Sequence, residues 1–171
     1  MTAAAWTRRL AVALLAASVV AASAGCSVRA DPHVPGSWPG TARAASGMPV
    51  VLRFGDHAVA ATLTDTPPAR QFAAMLPVNV RLKDAWGQAK SGRLPHLLTA
   101  EGGTPVHDPT PGGIYVWPPS GVIAIYYDDL GQAVPGPGLV RLGFIEAGLD
   151  RLADAGNGVT VRIESAAATD S

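Results

Sequence analysis

The amino-acid sequence predicts a mainly β domain that folds as a closed barrel with two short helices. Between residues 48 and 164, roughly seven or eight short segments alternate apolar and polar residues, which is the period of a half-buried strand. Clusters of Gly, Pro, Asn and Asp separate these segments at intervals typical of sandwiches and barrels. Only two short stretches have the helical period, and we therefore expect a closed barrel.

The first predicted elements are a hairpin, a helix and a strand. Residues 50–54 and 57–63 alternate on either side of a Gly-Asp turn, which predicts a β-hairpin. An Asp-Thr-Pro-Pro run at 65–68 then supplies an N-cap candidate and a proline at the first helical position. Apolar residues at helical spacing continue this helix until Pro77 ends it, and residues 78–82 alternate as a further strand.

Residues 84–113 form a long stretch that glycines and prolines break into short pieces. Leu94, Leu97 and Leu98 are the candidates to anchor one or two strands within it. A long irregular segment in a compact domain is often where a binding surface is built. We therefore expect functional residues in this part of the chain.

The last third of the domain has the clearest pattern. The predicted elements, in order, are strands at 114–117 and 122–127, a Pro/Gly loop at 135–138, a strand at 139–144, a helix at 147–155 and a closing strand at 159–164. The second of these strands is nearly continuously apolar, which indicates burial on both faces. Residues 165–171 are small and polar and are predicted to form a disordered tail.

The N-terminus has the features of an export signal over residues 1–25. Arg8 and Arg9 form a positively charged start, residues 10–22 are apolar, and small residues follow. The apolar run is shorter than the roughly 20 residues that a bilayer crossing needs. We therefore expect export from the cytoplasm rather than a retained transmembrane helix.

Cys26, the only cysteine in the chain, follows this signal directly. Its Ala-Gly-Cys junction resembles the lipobox of bacterial lipoproteins, in which the cysteine receives a diacylglycerol and becomes the new N-terminus. Ordinary cleavage after Ala24 also fits, because residues 22–24 satisfy the A-x-A rule. We favour lipidation of Cys26, since a lone cysteine has no disulfide partner within the chain. The protein is then anchored to the outer face of the cell membrane; cleavage after Ala24 would make it secreted.

Residues 26–47 are rich in Pro, Gly, Ala and Ser without an apolar period, and are predicted to be a flexible linker to the domain at 48–164. Without residues 1–25 the chain has 11 Lys and Arg against 13 Asp and Glu, because Arg8 and Arg9 are lost. A chain so close to neutral has no basic stripe that could neutralise phosphates. We therefore do not expect nucleic acid to be a partner.

Three stretches carry a resemblance to a known family. The run VRLGFIEAGLDRLADAGNGVTVRIE at 140–164 resembles the C-terminal end of cyclophilins, and a hairpin followed by a helix with Ala-Arg-Gln-Phe is similar to their opening. The run GGIYVWPPSGVIAIYYDDLG at 112–131 instead resembles small bacterial cyclophilin-like domains. The chain is identified as a member of this group over residues 48–164, which implies a closed eight-stranded barrel capped by two helices.

The resemblance also raises prolyl isomerisation as an activity. That reaction has a barrier of about 20 kcal/mol, and cyclophilins lower it with an Arg that donates to the prolyl nitrogen inside an apolar pocket. Their Phe-His-Arg-Val-Ile and Gln-Gly-Gly-Asp-Phe segments are absent from this sequence. Arg81 has a loosely equivalent place and is the candidate catalytic residue of an isomerase, but we interpret it as an exposed strand residue.

No cofactor and no metal site are predicted. His96, His107 and Asp108 lie in the irregular stretch, but their spacing matches no recognised metal site, and surface loop positions explain them. The serines lack the G-x-S-x-G elbow of a nucleophile, and no G-x-x-x-x-G-K-S/T loop is present to bind phosphates.

Aromatic residues are the better candidates for a site. Tyr115 and Trp117 share one face of a strand, while Tyr126 and Tyr127 point to opposite faces. We predict that Trp86, Tyr115, Trp117 and Tyr127 line a groove for a peptide or a small apolar ligand. The alternative is that these rings only fill and cover the barrel.

These observations leave three hypotheses for function. The favoured one is a cell-envelope lipoprotein whose cyclophilin-like domain binds a peptide or small ligand without catalysis. The second is an extracytoplasmic peptidyl-prolyl isomerase that assists the folding of exported proteins. The third is a structural envelope protein without a ligand.

Overall fold

The computed structural model of this protein describes residues 47–166. Within this range the elements, in chain order, are β1 (Gly47–Phe54), β2 (His57–Thr64), α1 (Pro67–Ala73), β3 (Val78–Ala85), β4 (Ala89–Arg93), β5 (Pro105–Val106), β6 (Gly113–Trp117), β7 (Val122–Tyr126), β8 (Leu139–Ala147), α2 (Leu149–Ala153) and β9 (Val159–Ser165). The predicted export signal, Cys26, nearly all of the predicted linker and residues 167–171 lie outside the described residues.

Eight antiparallel strands close into a barrel. Around the barrel the order is β2-β1-β9-β3-β4-β7-β6-β8, and β8 pairs back with β2. The two-residue strand β5 pairs with the beginning of β8 and lies outside this circuit. The predicted fold, a mainly β closed eight-stranded barrel with two short helices, is therefore confirmed.

Side chains on β6 and β7 divide between two apolar clusters. Ile114 and Val116 of β6, like Ile123 and Ile125 of β7, point into the barrel and join its main core. The residues between them point outward and belong to a second cluster, which consists of Ala89, Tyr115, Ala124, Tyr126, Val134 and Leu139. The sheet is thus apolar on both faces here, as the nearly continuous apolar run predicted for β7.

Strand β4 was not predicted, and the reason is its sequence, Ala-Lys-Ser-Gly-Arg. Lys90 faces the barrel interior and is only 1% exposed, so the strand lacks the apolar alternation that marks a half-buried strand. Leu94 and Leu98, expected to anchor strands, are buried in the loop after β4, whereas Leu97 is 67% exposed.

The two helices are shorter than predicted, and several strands are longer, among them β8 and β9. Helix α1 ends at Ala73. Strand β8 continues to Ala147 because that residue still pairs with Ala60 of β2, and α2 begins only after Gly148, whose φ is 84°. Strand β9 runs through Ser165. In the described part of the chain, no helix has both the length and the apolar character needed to cross a membrane.

Candidate functional site

An open cavity of about 620 Å³ lies on the outer face of the sheet formed by β4, β7 and β6. Its floor is part of the second apolar cluster: Ala89, Ala124 and Tyr126 belong to that cluster and line the cavity. The volume falls in the range of roughly 300–1,000 Å³ found for small-molecule sites. The second apolar cluster, on the outer face of the sheet, therefore forms part of a surface that a ligand can reach.

One wall of the cavity is the 127–138 segment, which connects β7 to β8. Its residues from Gln132 to Pro135 line the cavity. Two hydrogen bonds hold this wall: the Val134 N–H donates to the His107 carbonyl oxygen at 2.8 Å, and His107 Nδ1 donates to the Val134 carbonyl oxygen at 2.9 Å. The wall thus depends on a contact with the irregular stretch of the chain.

The turn that joins β3 to β4, which we call the Trp86 turn, also contributes residues to the cavity lining. Trp86 and Gly87 both have left-handed backbone conformations, with φ of 54° and 67°. A bulky residue with positive φ is a genuine outlier, and such strain is concentrated at functional sites. Trp86 also lines the cavity while remaining 78% exposed. Both observations are consistent with a side chain kept for contact with another molecule.

Gln88 is a buried polar residue of the cavity lining, at 5% exposure. Its carbonyl oxygen accepts hydrogen bonds from the N–H groups of Tyr127 at 2.9 Å and Asp128 at 3.2 Å. Its side-chain amide has no hydrogen-bond partner among residues 47–166, and no side-chain polar atom there is both inaccessible and unpaired. The amide therefore keeps some access to solvent, and since Gln88 lines the cavity, it is the candidate group to donate to and accept from a ligand.

The remaining lining is uncharged. Its other polar side chains come from serines, glutamine and tyrosine, namely Ser91, Ser120, Gln132 and Tyr126, and no Lys, Arg, His, Asp or Glu of the described chain lines the cavity. No charged side chain in this lining could offset the free-energy cost of removing a charged ligand from water. The cavity suits a neutral molecule with a large apolar part.

Trp86 and Trp117, two of the four residues predicted to line a groove, are brought together in this cavity. Tyr115 does not line it: its side chain lies on the same face of the sheet as Tyr126 but is fully buried. The Tyr115 hydroxyl accepts hydrogen bonds from the Thr110 N–H at 3.1 Å and from Arg141 Nη2 at 2.9 Å. Tyr115 is placed as a support for the site rather than as a contact.

Tyr127 lies on the other face of the sheet and does not line the cavity. Its hydroxyl donates to Asp84 Oδ2 at 2.8 Å. Lys90 Nζ donates to the same oxygen at 2.8 Å and to the Gly156 carbonyl oxygen at 2.9 Å. The bonds from Lys90 and Tyr127 lower the pKa of Asp84. Burial, and then the Asp84 carboxylate, raise the pKa of Tyr127 to about 12.

Arg81, the candidate catalytic residue of an isomerase, lies outside the cavity lining. It is exposed on the outer face of β3, and its guanidinium lies beside Gly158. The cavity is reached on that face by Ala85, four residues further along, which corresponds to about 13 Å of strand. Among the described residues, no group of three or more His, Cys, Asp and Glu side chains is placed to hold a metal ion.

The sequence contains a signal for Tyr126 that the prediction missed. The four-residue turn after β6 pairs Trp117 with Val122 and Tyr115 with Ala124. Tyr126 lies two residues beyond Ala124 and so shares the face of Tyr115 and Trp117. Counting the register through this turn identifies Tyr126, not Tyr127, as the tyrosine of the site. No comparable local signal exists for Gln88.

Comparison with known proteins places the whole barrel in one family. The sequence model of the Cyclophilin-like family matches residues 52–164. The solution structure of a hypothetical protein from Archaeoglobus fulgidus is similar, with a TM-score of 0.51, 17% identity, and coverage of 71% of this chain and 97% of that chain. At this identity the likeness concerns the fold. No curated protein matches the chain significantly.

Proposed function

Because this chain belongs to the cyclophilin-like family, we propose that its barrel is a non-catalytic binding module, carried by an envelope lipoprotein, for a neutral and largely apolar ligand. The ligand is a peptide segment or a small molecule. The observation that carries this proposal is the uncharged cavity of about 620 Å³ lined by Trp86, Trp117 and Tyr126.

The chemistry of the lining supports a neutral ligand. Aromatic rings bury a large area and provide flat faces for apolar or proline-like groups. Gln88 lines the cavity, and its side-chain amide has an NH2 donor group and an acceptor oxygen that could orient a polar group of the ligand. An apolar pocket with a few placed polar groups is the usual composition of a small-molecule site.

Binding without catalysis is favoured by the position of Arg81. Isomerisation by the cyclophilin mechanism needs an Arg donor inside the apolar pocket, whereas Arg81 is exposed on β3 and outside the lining. A protease-coupled assay with an Ala-Ala-Pro-Phe anilide is expected to show no acceleration of isomerisation. Acceleration that the Arg81→Ala substitution abolishes would replace this proposal with the isomerase.

The membrane anchor is the second part of the proposal, and it depends on Cys26. An export signal ending in Ala-Gly-Cys supports lipidation of this residue. Metabolic labelling with radioactive palmitate in the native host is expected to label the wild-type protein and not the Cys26→Ala variant. Label that persists in the variant would contradict lipidation at Cys26.

Ligand binding is tested with N-phenyl-1-naphthylamine, a neutral aromatic probe whose fluorescence increases in apolar surroundings. The purified chain is expected to bind it saturably, and Trp86→Ala is expected to weaken binding about tenfold, the effect of a hot-spot aromatic. Leu97→Ala is the matched control, since Leu97 is 67% exposed and does not line the cavity. The absence of saturable binding, or equal losses in both variants, would contradict the proposal.

A further inference from the structure

The Asp84 carboxylate, near the end of β3, makes hydrogen bonds to the Trp86 turn and to Tyr127, the residue at which the 127–138 segment begins. Its Oδ1 accepts from the Gly87 N–H at 3.0 Å, within the turn that carries Trp86. Its Oδ2 accepts from the Tyr127 hydroxyl at 2.8 Å, and Tyr127 is the first residue of the 127–138 segment. Asp84 itself does not line the cavity. One carboxylate therefore connects two segments that contribute residues to the cavity, while Asp84 itself stays outside the lining.

Lys90 keeps this carboxylate in place. The Lys90 side chain is almost completely buried, and its Nζ donates to Asp84 Oδ2 at 2.8 Å and to the Gly156 carbonyl oxygen at 2.9 Å. The ammonium also lies 5.4 Å from the centroid of the Tyr127 ring. A buried ammonium needs a charged partner, so Asp84 is held ionised and in one position.

The backbone of Asp84 adds a further constraint. Its N–H donates to Asn157 Oδ1 at 3.2 Å, so the loop between α2 and β9 contacts both Asp84 and Lys90. A carboxylate fixed on its backbone side and at both oxygens has little freedom to change position. Residues that support a site in this way hold the groups that contact the ligand in a fixed geometry.

From this geometry we infer that Asp84 is a positioning residue of the cavity: together with the backbone bonds from the Tyr127 and Asp128 N–H groups to the Gln88 carbonyl oxygen, it fixes the Trp86 turn against the start of the 127–138 segment. It acts through the Gly87 N–H on one side and the Tyr127 hydroxyl on the other. The inference rests on the proposed function, because the effect of Asp84 on the cavity is measured through the affinity of a ligand for it.

Tyr127→Phe tests this inference with the smallest change. The variant keeps the ring beside Lys90 and removes only the hydroxyl that bonds Asp84. We expect the dissociation constant of N-phenyl-1-naphthylamine to rise about fivefold, the equivalent of one hydrogen bond. Glu164→Gln is the control, because it removes a charge that pairs with Arg53 on β1, outside the cavity lining. An unchanged probe affinity in Tyr127→Phe would overturn the inference.

A second pair of variants separates positioning from stability. Asp84→Ala leaves Lys90 buried without its partner and is expected to lower both stability and probe affinity. Adding Lys90→Met removes the unpaired charge, so the thermal midpoint is expected to recover. Probe affinity is expected to stay low, because neither Gly87 nor Tyr127 regains its acceptor. Recovery of affinity together with stability would show that Asp84 acts only through stability.

Amide hydrogen exchange distinguishes failure of this inference from failure of the proposed function. In the Asp84→Ala/Lys90→Met variant we expect faster exchange at Gly87 and at Tyr127, with or without a probe. If the wild-type chain binds no probe while this exchange increases, the proposed function is wrong and the positioning role of Asp84 stands. Unchanged exchange at both amides would overturn the positioning role.

Discussion

The ring of Tyr115 packs edge-on against the ring of Tyr126, with centroids 5.6 Å apart and planes at 89°. Tyr126 lines the cavity, while Tyr115, on the same face of the sheet, is fully buried and does not line it. Edge-to-face pairs of this kind contribute about 1 kcal/mol beyond their buried area. The floor of the cavity is therefore held by a residue that a ligand does not touch.

Tyr115→Phe is expected to lower the free energy of unfolding by about 1 kcal/mol, because the Thr110 N–H and Arg141 lose their acceptor. The ring stays in place under Tyr126, so probe affinity should change by less than about twofold. Urea denaturation and the fluorescence titration measure the two effects. A large loss of affinity at unchanged stability would instead make Tyr115 a ligand contact.

Trp86→Gly is expected to separate stability from binding. Glycine adopts the left-handed conformation of Trp86, with φ of 54°, without strain. The free energy of unfolding should therefore stay the same or rise by up to about 1 kcal/mol, while probe binding should weaken about tenfold, as in Trp86→Ala. Leu97→Gly, at an exposed residue without positive φ, should be destabilising instead. A destabilised Trp86→Gly variant would show that the ring has a structural role.

The pKa of Tyr127, raised to about 12, predicts a loss of stability in alkali. The unfolded chain ionises this phenol near pH 10, so the contribution of the protonated hydroxyl is fully present below that pH. It is lost as the pH rises towards 12. Tyr127→Phe should remove this loss, as measured by urea denaturation at increasing pH. The late-titrating phase of the tyrosinate absorbance should also become smaller, although Tyr126, whose pKa is raised by burial, still contributes to it. An unchanged alkaline profile in the variant would contradict the bond to Asp84.

Asp84 predicts the opposite dependence in acid. Hydrogen bonds from Lys90 and Tyr127 lower its pKa in the folded protein, so its contribution is present above the unfolded pKa of about 4 and is lost as the pH falls through the folded value. Asp84→Asn should cost about 2 kcal/mol at neutral pH. Urea denaturation of both proteins should show this difference shrinking below pH 4. A difference independent of pH would exclude the ionised carboxylate as its source.

Gly143 is expected to tolerate no side chain where the barrel closes. A Cβ atom at this position would come too close to the Thr62 carbonyl oxygen and would lie 2.9 Å from Leu63 Cα, both backbone atoms of β2. Gly143→Ala should lower the free energy of unfolding by about 2 kcal/mol through forced separation of the strands. Gly136→Ala is the control, since nothing lies within 4 Å of a Cβ atom there. Equal thermal midpoints for the two variants would contradict this close approach.

Most of the strands could be predicted because their signal is local. Alternation and turn residues place β1, β2, β6, β7 and β9 to within a few residues. The alternation pattern did not reveal strand β4, because Lys90 faces the interior, where a half-buried strand is expected to have an apolar residue. Its burial depends on Asp84 and Gly156, six and 66 residues away.

The sequence by itself determined the barrel class and the family resemblance, and it predicted Trp86 and Trp117 as site residues. Only the tertiary structure decided which tyrosine lines the cavity, that Gln88 lines it, and that Asp84 connects the Trp86 turn to the start of the 127–138 segment. The physical reason is that the periodicity of a strand can be recognised from residues that are neighbours in the sequence. The cavity is instead assembled from β3, β4, β6, β7 and the 127–138 segment, whose meeting depends on closure of the sheet.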